Sequence, residues 1–257
     1  MSPSNAGRLI LLAAIFGASF LFMKIGVPSL GPAGLITARV ALAALFLTLV
    51  SLFLQHNFSR QHWRHYLFLG LINTALPFLA YGFAARHLNA SLMSILNATA
   101  PIWGAIIAAL IVRQWPSLKV VLGLLLGMIG VAILVGFDPV IQGQAASWSI
   151  AACLFATLCY GIGASYTKYK TQHIPAFQLT HGSMYGATLF MLIPLAGNTH
   201  VIQTPSLNVA LAVLTLAVLC TGCAYLLLFR LMREIGAAST LSVTFLVPVF
   251  GVLWGAL

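Results

Sequence analysis

Acidic side chains are almost missing from this sequence, whose 257 residues include only two of them, Asp138 and Glu234. Charged residues of all kinds make up 5% of the chain, against about 25% in a typical soluble domain. So few charges cannot cover a surface that faces water, which excludes an ordinary soluble domain. Because proton-coupled carriers commonly use a buried Asp or Glu, the shortage also favours facilitated diffusion or exchange over a carboxylate-driven proton antiport.

Signatures of catalysis and of cofactor binding are missing as well. The chain has no H-E-x-x-H motif, no paired carboxylates in its apolar stretches and no Ser-His arrangement at an obvious spacing, which argues against an enzyme. Cys220 and Cys223 have the spacing of metal ligands, but no second pair accompanies them, so they are interpreted as buried thiols. No catalytic residue, cofactor or metal site is therefore predicted.

Basic residues are more numerous but scattered. Twelve Lys and Arg give a formal net charge of +10, a balance that in a soluble protein would suggest a nucleic acid partner. Here they lie a few at a time between apolar runs and form no basic face, so no nucleic acid partner is predicted. They are interpreted as signals of membrane topology.

Apolar residues are what the sequence has in abundance, at 61% of the chain. They form stretches of about 20 residues, the length that a helix needs to cross a hydrocarbon core of about 30 Å. The sequence thus predicts an all-α polytopic protein of the lipid bilayer, with nine spans near 8–28, 33–55, 66–85, 90–112, 118–137, 147–168, 176–196, 207–229 and 236–257.

The basic residues predict the orientation of these spans, because Lys and Arg stay preferentially in the cytoplasm. With the N-terminus in the cytoplasm, Asp138 falls on an outside loop, and nine of the twelve basic residues fall on inside segments. These nine are Arg8, Arg60, Arg64, Arg113, Lys119, Lys168, Lys170, Arg230 and Arg233. A multi-pass protein of the inner (plasma) membrane is therefore expected.

One proline-containing apolar segment occurs twice in the sequence. NATAPIWGAIIAAL, at residues 97–110, has a divergent copy, TFLVPVFGVLWGAL, at residues 244–257. Spans 1–4 match spans 6–9 in this way, so each unit has five spans. Because five is odd, the units are predicted to face opposite ways, as inverted repeats around one central cavity. The second unit lacks its fifth span, and a tenth helix is expected after the end of this chain. Residues aligned at one offset of 147 include Pro101 with Pro248 and Gly104 with Gly251.

Several short patterns resemble those of EamA-type transporters, a family of the drug/metabolite transporter superfamily. They are Phe16-Gly17-Ala18-Ser19-Phe20 followed by Lys24, the pair Ala38-Arg39, and Ala90, Ser91 and Pro101 around the fourth span. The resemblance implies two inverted five-helix units, here residues 1–137 and 147–257, and it implies export of small metabolites such as amino acids. Arg113-Gln114 departs from the Gly-Glu pair that the family usually has there.

Polar groups and prolines inside the spans are the candidate substrate-binding residues, since polar groups are costly in a bilayer. Span 3 places Asn73, Pro77 and Tyr81 on one helical face. Prolines in membrane helices free backbone carbonyls, which can line a cavity, whereas Ser and Thr also serve as packing contacts between helices. The candidates are Asn73, Tyr81, Ser94, Asn97, Pro101, Thr221, Tyr225, Thr244 and Pro248.

Titratable side chains within or near the spans form a second group of candidates. Lys24 and Lys168 occupy matching ends of spans 1 and 6, where they either extend to the headgroups or flank the cavity and favour an anionic group. Arg39 lies deeper and is interpreted either as a tie to helix carbonyls or as an attractor of substrate. His181 in span 7 is the one group inside a span with a pKa suited to proton coupling, or a packing histidine.

Together these features predict a transporter that exports small metabolites, amino acids by the family resemblance, by alternating access through a central cavity. An antiporter of anionic, phosphorylated or nucleotide-linked metabolites is the alternative, favoured by Lys24, Arg39 and Lys168. A non-transporting membrane sensor or a membrane-embedded enzyme is the remote one. Aromatic residues such as Phe16 and Tyr160 either face lipid or form an apolar pocket. With ten helices the protein is expected to act as a monomer on a small-molecule substrate.

Overall fold

The computed structural model describes residues 3–54, 59–135, 144–197 and 204–255, and within these ranges the chain is helical without a strand. Five of its helical stretches are long and apolar enough to cross a membrane. Large apolar side chains such as Leu52, Ile193 and Leu207 lie exposed on the outside of the bundle, where lipid would cover them. The prediction of an all-helical polytopic membrane protein is thereby confirmed.

The helices follow one another with short connections. In chain order they are α1 Pro3–Phe53, α2 Trp63–Gly70, α3 Leu76–Ala84, α4 Ala90–Asn97, α5 Ala100–Val112, α6 Leu118–Val135, α7 Gln144–Lys170, α8 Ala176–Ala196, α9 Leu207–Ala217, α10 Ala224–Glu234, α11 Ala237–Leu241 and α12 Val247–Gly255. Two 3₁₀ turns, Arg60–His62 and Ser242–Phe245, and two π-helical segments, Leu71–Ala75 and Val218–Cys223, join some of them. Asp138 lies outside the described residues.

Helix α1 is two membrane-length helices joined by a sharp turn. Its 51 residues would extend over about 76 Å at 1.5 Å per residue, far more than one crossing needs. Gly31 breaks it with a φ of 66° and a ψ of 168°, a left-handed conformation that glycine adopts without steric cost. The break falls between the predicted spans 8–28 and 33–55.

Interruptions of the helices recur at the sequence offset of the repeat. The π-helical segments begin at Leu71 and Val218, which are 147 residues apart, the offset that aligns Pro101 with Pro248. Helices α4 and α11 begin at the same separation, and so do α5 and α12. The two halves of the sequence therefore share local backbone irregularities as well as residues.

Contacts between the two halves are made by glycines where helices approach closely. A Cβ on Gly17 of α1 would lie 2.8 Å from the Phe250 Cβ and 2.9 Å from the Gly251 nitrogen of α12. A Cβ on Gly161 of α7 would lie 2.8 Å from the Gly104 nitrogen of α5. The first helix of each half thus packs against the proline-containing helix of the other half, and only glycine permits that approach.

The N-terminal end of α1 is tied to the end of α10. The Arg8 Nη1 donates to the Glu234 Oε2 at 2.8 Å, and the Arg230 Nε donates to the Glu234 Oε1 at 2.7 Å. Because these side chains are partly exposed, the pairs add little stability. They do engage one of the two acidic residues of the sequence at the end of the bundle, away from its centre.

Candidate functional site

A cavity lies in the middle of the bundle, between helices from both halves of the chain. The space inside it that the centre of a water molecule can reach is about 70 Å³. Its walls are mostly aromatic and aliphatic, with a few polar side chains directed inward. The lining residues are Phe16, Ser19, Phe20, Met23, Arg39, Asn73, Phe78, Tyr81, Asn97, Tyr160, Tyr225, Leu228, Met232, Leu241, Val243 and Thr244.

The two π-helical segments carry backbone carbonyls that cavity side chains satisfy. The Tyr225 hydroxyl donates to the Asn73 carbonyl at 2.7 Å, and the Arg39 Nη2 donates to the Cys220 carbonyl at 3.4 Å. Asn73 and Cys220 are themselves 147 residues apart and hold equivalent places in the two segments. Since no water satisfies such groups in a bilayer core, Tyr225 and Arg39 complete the backbone hydrogen bonding of the spans.

Arg39 is the charged residue of the cavity wall, and it is buried, with 2% of its surface exposed. Its Nε donates to the Thr221 Oγ1 at 2.7 Å and its Nη1 contacts the Met23 sulfur at 3.5 Å. Its guanidinium carbon lies 3.6 Å from the centre of the Phe78 ring, a favourable cation–π geometry.

No carboxylate pairs with this guanidinium among the described residues, because Glu234 is engaged by Arg8 and Arg230. Three of the five N–H groups of an arginine have an acceptor here, one of them a weakly accepting thioether. A buried charge without a partner ion is costly. The guanidinium of Arg39 is therefore a buried positive charge on the cavity wall without a carboxylate partner among the described residues.

A second polar group faces the cavity from spans 3 and 4. The Tyr81 hydroxyl donates to the Asn97 Oδ1 at 3.1 Å, and both side chains are buried. The Tyr81 ring packs edge-on against Phe20, with centroids 5.4 Å apart, and is stacked with Tyr160 at 6.4 Å. This aromatic wall with its amide oxygen differs chemically from the Arg39 side of the cavity.

The prolines Pro101 and Pro248 are buried but do not line the cavity, which differs from the sequence prediction. Each stands near the start of its helix, where a missing N–H costs little. Each also follows a cavity residue by four positions, Asn97 and Thr244 respectively. A proline has no N–H to donate to the carbonyl four residues before it. Each proline therefore leaves the backbone carbonyl of a cavity residue without its α-helical hydrogen bond.

Thr221 and Ser94 also lie behind the cavity wall rather than in it. The Thr221 hydroxyl accepts from Arg39 and donates to the Leu216 carbonyl at 2.8 Å, so it positions the guanidinium. Ser94 is buried where α4 packs on α12. Its Oγ lies 3.5 Å from the position that a Cβ would occupy if Gly251 carried one. Neither hydroxyl is placed to contact a bound molecule directly.

Lys24 and Lys168, predicted as possible cavity charges, are both exposed and do not line the cavity. The Lys24 Nζ donates to the carbonyls of Ala85 at 3.1 Å and Leu88 at 3.3 Å, which the end of α3 leaves without helical partners. Lys168, in the last turn of α7, lies 5.1 Å from the Tyr169 ring centre. Of the three predicted basic residues, Arg39 alone reaches the cavity.

His181 is buried in α8 away from the cavity. Its Nε2 lies 3.1 Å from the Thr48 Oγ1, which in turn lies 2.6 Å from the Tyr185 hydroxyl. These contacts join α8 to the second half of α1. His181 therefore contacts neighbouring helices and does not line the cavity.

Sequence reasoning missed several residues of the wall, and a part of the reason is the π-helical geometry. A π-helical turn contains one extra residue, which rotates the following side chains about the helix axis. A helical face predicted from 3.6 residues per turn is therefore displaced beyond that turn. Phe78 thereby lies under Arg39, while Pro77, predicted to share the face of Asn73, does not line the cavity. Among the described residues, metal-ligating side chains converge not here but at one end of the bundle, at His62, His65 and His173.

Comparison with known proteins gives a consistent result. The model of the EamA-like transporter family matches residues 7–136 and again residues 147–257. The chain is similar to the uncharacterized transporter YoaV of Bacillus subtilis (strain 168), with 22% identity over 253 residues that cover 96% of this chain and 86% of the relative. The fold is similar to that of one protein of known crystal structure, with a TM-score of 0.74 at 15% identity, covering 98% of this chain and 88% of the other.

Proposed function

This chain belongs to the EamA-like transporter family, and on that premise we propose that it exports small carboxylate-bearing metabolites, amino acids first among them. Membership makes it a multi-pass membrane transporter. The central cavity is the place for the substrate, because it is the site that both halves of the chain build together. Neutral or aromatic amino acids suit its aromatic walls.

Arg39 is the observation that carries this proposal. It is a buried guanidinium on the wall of the cavity, stacked on Phe78 and held by Thr221, without a carboxylate partner among the described residues. A substrate carboxylate would supply the missing counter-charge and accept the remaining N–H groups, which a guanidinium offers in a fork that matches a carboxylate. The binding energy would then come from neutralising a charge that no carboxylate among the described residues pairs with.

The amino end of such a substrate finds complementary chemistry on the wall made by spans 3, 4 and 6. The rings of Tyr81 and Tyr160 attract an ammonium group through their π-faces, and the Asn97 Oδ1 and the Tyr81 oxygen are acceptors. A zwitterion would then lie between one cation and a set of acceptors. The acceptors require no buried carboxylate, which agrees with the composition.

The alternative, an antiporter of phosphorylated or nucleotide-linked metabolites, has less support. A phosphate with nearly two charges calls for more than one basic partner, yet Lys24 hydrogen-bonds to carbonyls and Lys168 is exposed at the end of α7. A single guanidinium is better matched to a single carboxylate. We therefore place amino acids ahead of phosphorylated substrates.

Alternating access completes the proposal. Residues 1–137 and 147–257 would be two units with opposite orientation, and α1 and α7 would exchange contacts with the other unit through Gly17 and Gly161. Rocking of one unit against the other would open the cavity to each side in turn. The N-terminus would lie in the cytoplasm, in the inner membrane, since Arg8, Arg60, Lys170 and Arg230 gather where positive residues are retained.

The direct test uses liposomes that contain the purified protein and are preloaded with labelled amino acids, purines or phosphorylated metabolites. We expect efflux of neutral or aromatic amino acids, and none of the corresponding amino acid amides, which lack the carboxylate. Efflux of phosphorylated compounds alone, and only against a counter-substrate, would replace the proposal with the antiporter. Empty liposomes give the leak rate.

Tyr81→Phe and Asn97→Ala test the acceptor side of the cavity. Each removes an oxygen that is proposed to accept from the substrate ammonium group, and a typical net hydrogen bond of about 0.5–1.5 kcal/mol corresponds to a roughly 2- to 10-fold increase in KM for efflux. Expression and thermal unfolding should stay near those of the wild type. Unchanged transport in both variants would remove this wall from the substrate site.

His181→Gln and Glu234→Gln test the absence of proton coupling through either residue. We expect efflux in both variants at more than about half of the wild-type rate, because neither side chain lines the cavity. An imposed pH gradient should change the wild-type rate little, since no carboxylate and no histidine lines the cavity among the described residues. A steep dependence on the gradient that either substitution abolishes would show a proton-driven carrier.

A further inference from the structure

Three histidines meet at the end of the bundle where α2 begins and α7 ends, away from the cavity. His62 lies in the 3₁₀ turn Arg60–His62, His65 in the first turn of α2, and His173 in the connection from α7 to α8. One ligand nitrogen from each lies within 4.8 Å of the others. His62 and His65 are half-buried and His173 is exposed, so an ion from solution can reach all three.

We propose that His62, His65 and His173 bind a divalent late first-row transition metal ion such as Zn²⁺. Neutral imidazole nitrogens suit Zn²⁺, Ni²⁺ and Cu²⁺, whereas Mg²⁺ and Ca²⁺ require oxygen ligands. Zn–N bonds of about 2.0 Å in a tetrahedral site place the nitrogens roughly 3.3 Å apart. The exposed His173 is the side chain that rotates to close the remaining distance, and water takes the fourth position.

The surroundings of His65 are those of a metal ligand. Its Nδ1 lies 2.8 Å from the Tyr166 hydroxyl, and when the Nδ1–H donates to that oxygen, the Nε2 is left unprotonated and able to bind metal. A hydrogen-bonded partner of this kind fixes the tautomer and the ring orientation of metal-binding histidines. Tyr166 is itself held by the Phe68 ring, with centroids 4.2 Å apart.

The backbone that carries His62 and His65 is firmly placed. Helix α2 approaches α8 so closely that a Cβ on Gly186 would lie 2.7 Å from the Tyr66 carbonyl oxygen. His173 comes from the segment that leads into α8, and its ring lies 5.3 Å from that of His62. The backbone that carries two of the three ligands is therefore fixed before the ion arrives, and a bound ion would link α2 to the connection between α7 and α8.

The charge around the site sets its salt dependence. Arg64 lies next to His65 in the sequence, with its guanidinium carbon 5.5 Å from the Trp63 ring centre. Lys170 lies three positions before His173 in the sequence. These cations repel a divalent ion, and salt screens repulsion between exposed charges. Binding is therefore expected to tighten with ionic strength, the opposite of what a site made of carboxylates would show.

Zinc binding is measured on the full chain in detergent, purified through a tag without histidine, by competition with a chromophoric chelator. The wild type should bind Zn²⁺ saturably in the micromolar range and Mg²⁺ not at all. His65→Ala and His173→Ala should each weaken the affinity at least about tenfold. His87→Ala, which removes an exposed histidine at the other end of the bundle, is the matched control and should bind as the wild type does.

Thermal unfolding provides a second measurement that does not depend on the chelator. Zn²⁺ should raise the unfolding temperature of the wild type and of His87→Ala, since a ligand that binds the folded state stabilises it, but not that of His173→Ala. The last variant changes an exposed side chain in a connection, so it should fold without metal as the wild type does. Wild-type affinity no tighter than millimolar, or equal weakening by His87→Ala, would overturn the proposal.

Discussion

Replacing Arg39 with methionine is expected to lower efflux of a carboxylate substrate by roughly 10- to 100-fold while the protein stays folded. Hydrogen bonds to charged groups contribute about 1.5–3 kcal/mol, which gives this range of rates or affinities. Because the guanidinium is buried without a counter-ion among the described residues, an apolar side chain of similar length removes a cost. This gain offsets the hydrogen bonds lost to Thr221 and to the Cys220 carbonyl, so the unfolding temperature should stay close to that of the wild type as transport falls.

A purely structural role of Arg39 would give a different result. It donates to Thr221 and to the Cys220 carbonyl, so a structural role predicts loss of folding and an equal loss of transport for every substrate. The substrate role predicts that Arg39→Met abolishes the preference for an amino acid over its amide. Thr221→Ala is the matched control, since it removes the hydrogen bond of 2.7 Å and leaves the charge.

Arg39→Lys separates charge from geometry. Lysine keeps the positive charge but lacks the planar fork and the stacking on Phe78. We expect intermediate transport with the carboxylate preference retained. Full loss in Arg39→Lys together with a lowered unfolding temperature, and unchanged substrate preference in Arg39→Met, would assign Arg39 to the fold alone.

Much of the fold could be predicted from the sequence because the strongest signals are local. The predicted boundary between spans 8–28 and 33–55 matches the break in α1 at Gly31, and the offset of 147 between Pro101 and Pro248 recurs in the starts of α5 and α12. These features depend on the length of the apolar runs, on a glycine with a positive φ and on prolines that lack an N–H. Each of them affects only the backbone within a few residues of itself. The opposite orientation of the two halves stays a prediction.

The site could be predicted only in part, because it depends on contacts between distant residues. Asn73, Tyr81, Asn97, Tyr225, Thr244 and Arg39 surround one cavity, and each carries a polar group inside an apolar span, a signal that a single sequence contains. The sequence could not show that Lys24 hydrogen-bonds to carbonyls 61 and 64 residues away. The sequence does not predict a metal site at His62 and His173, because these residues are far apart in the chain. The connection between α7 and α8 brings His173 to His62 only in the folded structure.

Gly161→Ala and Gly17→Ala are expected to be strongly destabilising, because each glycine lies where a helix of one half approaches the backbone of the other half. The new Cβ on Gly161 would lie 2.8 Å from the Gly104 nitrogen, and that on Gly17 2.9 Å from the Gly251 nitrogen. Backbone atoms cannot rotate away as a side chain can, so the helices must separate. Overpacking of this kind costs about 1–3 kcal/mol, measurable by unfolding in mixed micelles.

Gly251→Ala is the matched control, because it lies on the other side of the same contact. Its Cβ would meet the Ser94 Oγ at 3.5 Å, an ordinary van der Waals distance, so the free energy of unfolding should change by less than about 0.5 kcal/mol. If Gly17→Ala and Gly251→Ala destabilise equally, the effect arises from the glycine backbone and not from the approach of the helices.

The two glycine contacts also test whether the halves of the chain behave as equivalent units. Gly17 and Gly161 belong to different helix pairs, and the atoms nearest to the two added Cβ atoms belong to different residues. The effects of the two substitutions on the free energy of unfolding should therefore add within about 0.5 kcal/mol. Alternating access requires that both pairs open and close in turn, and each substitution should then slow transport by itself. A variant that unfolds more easily but transports at the wild-type rate would mean that its contact stays closed throughout the cycle.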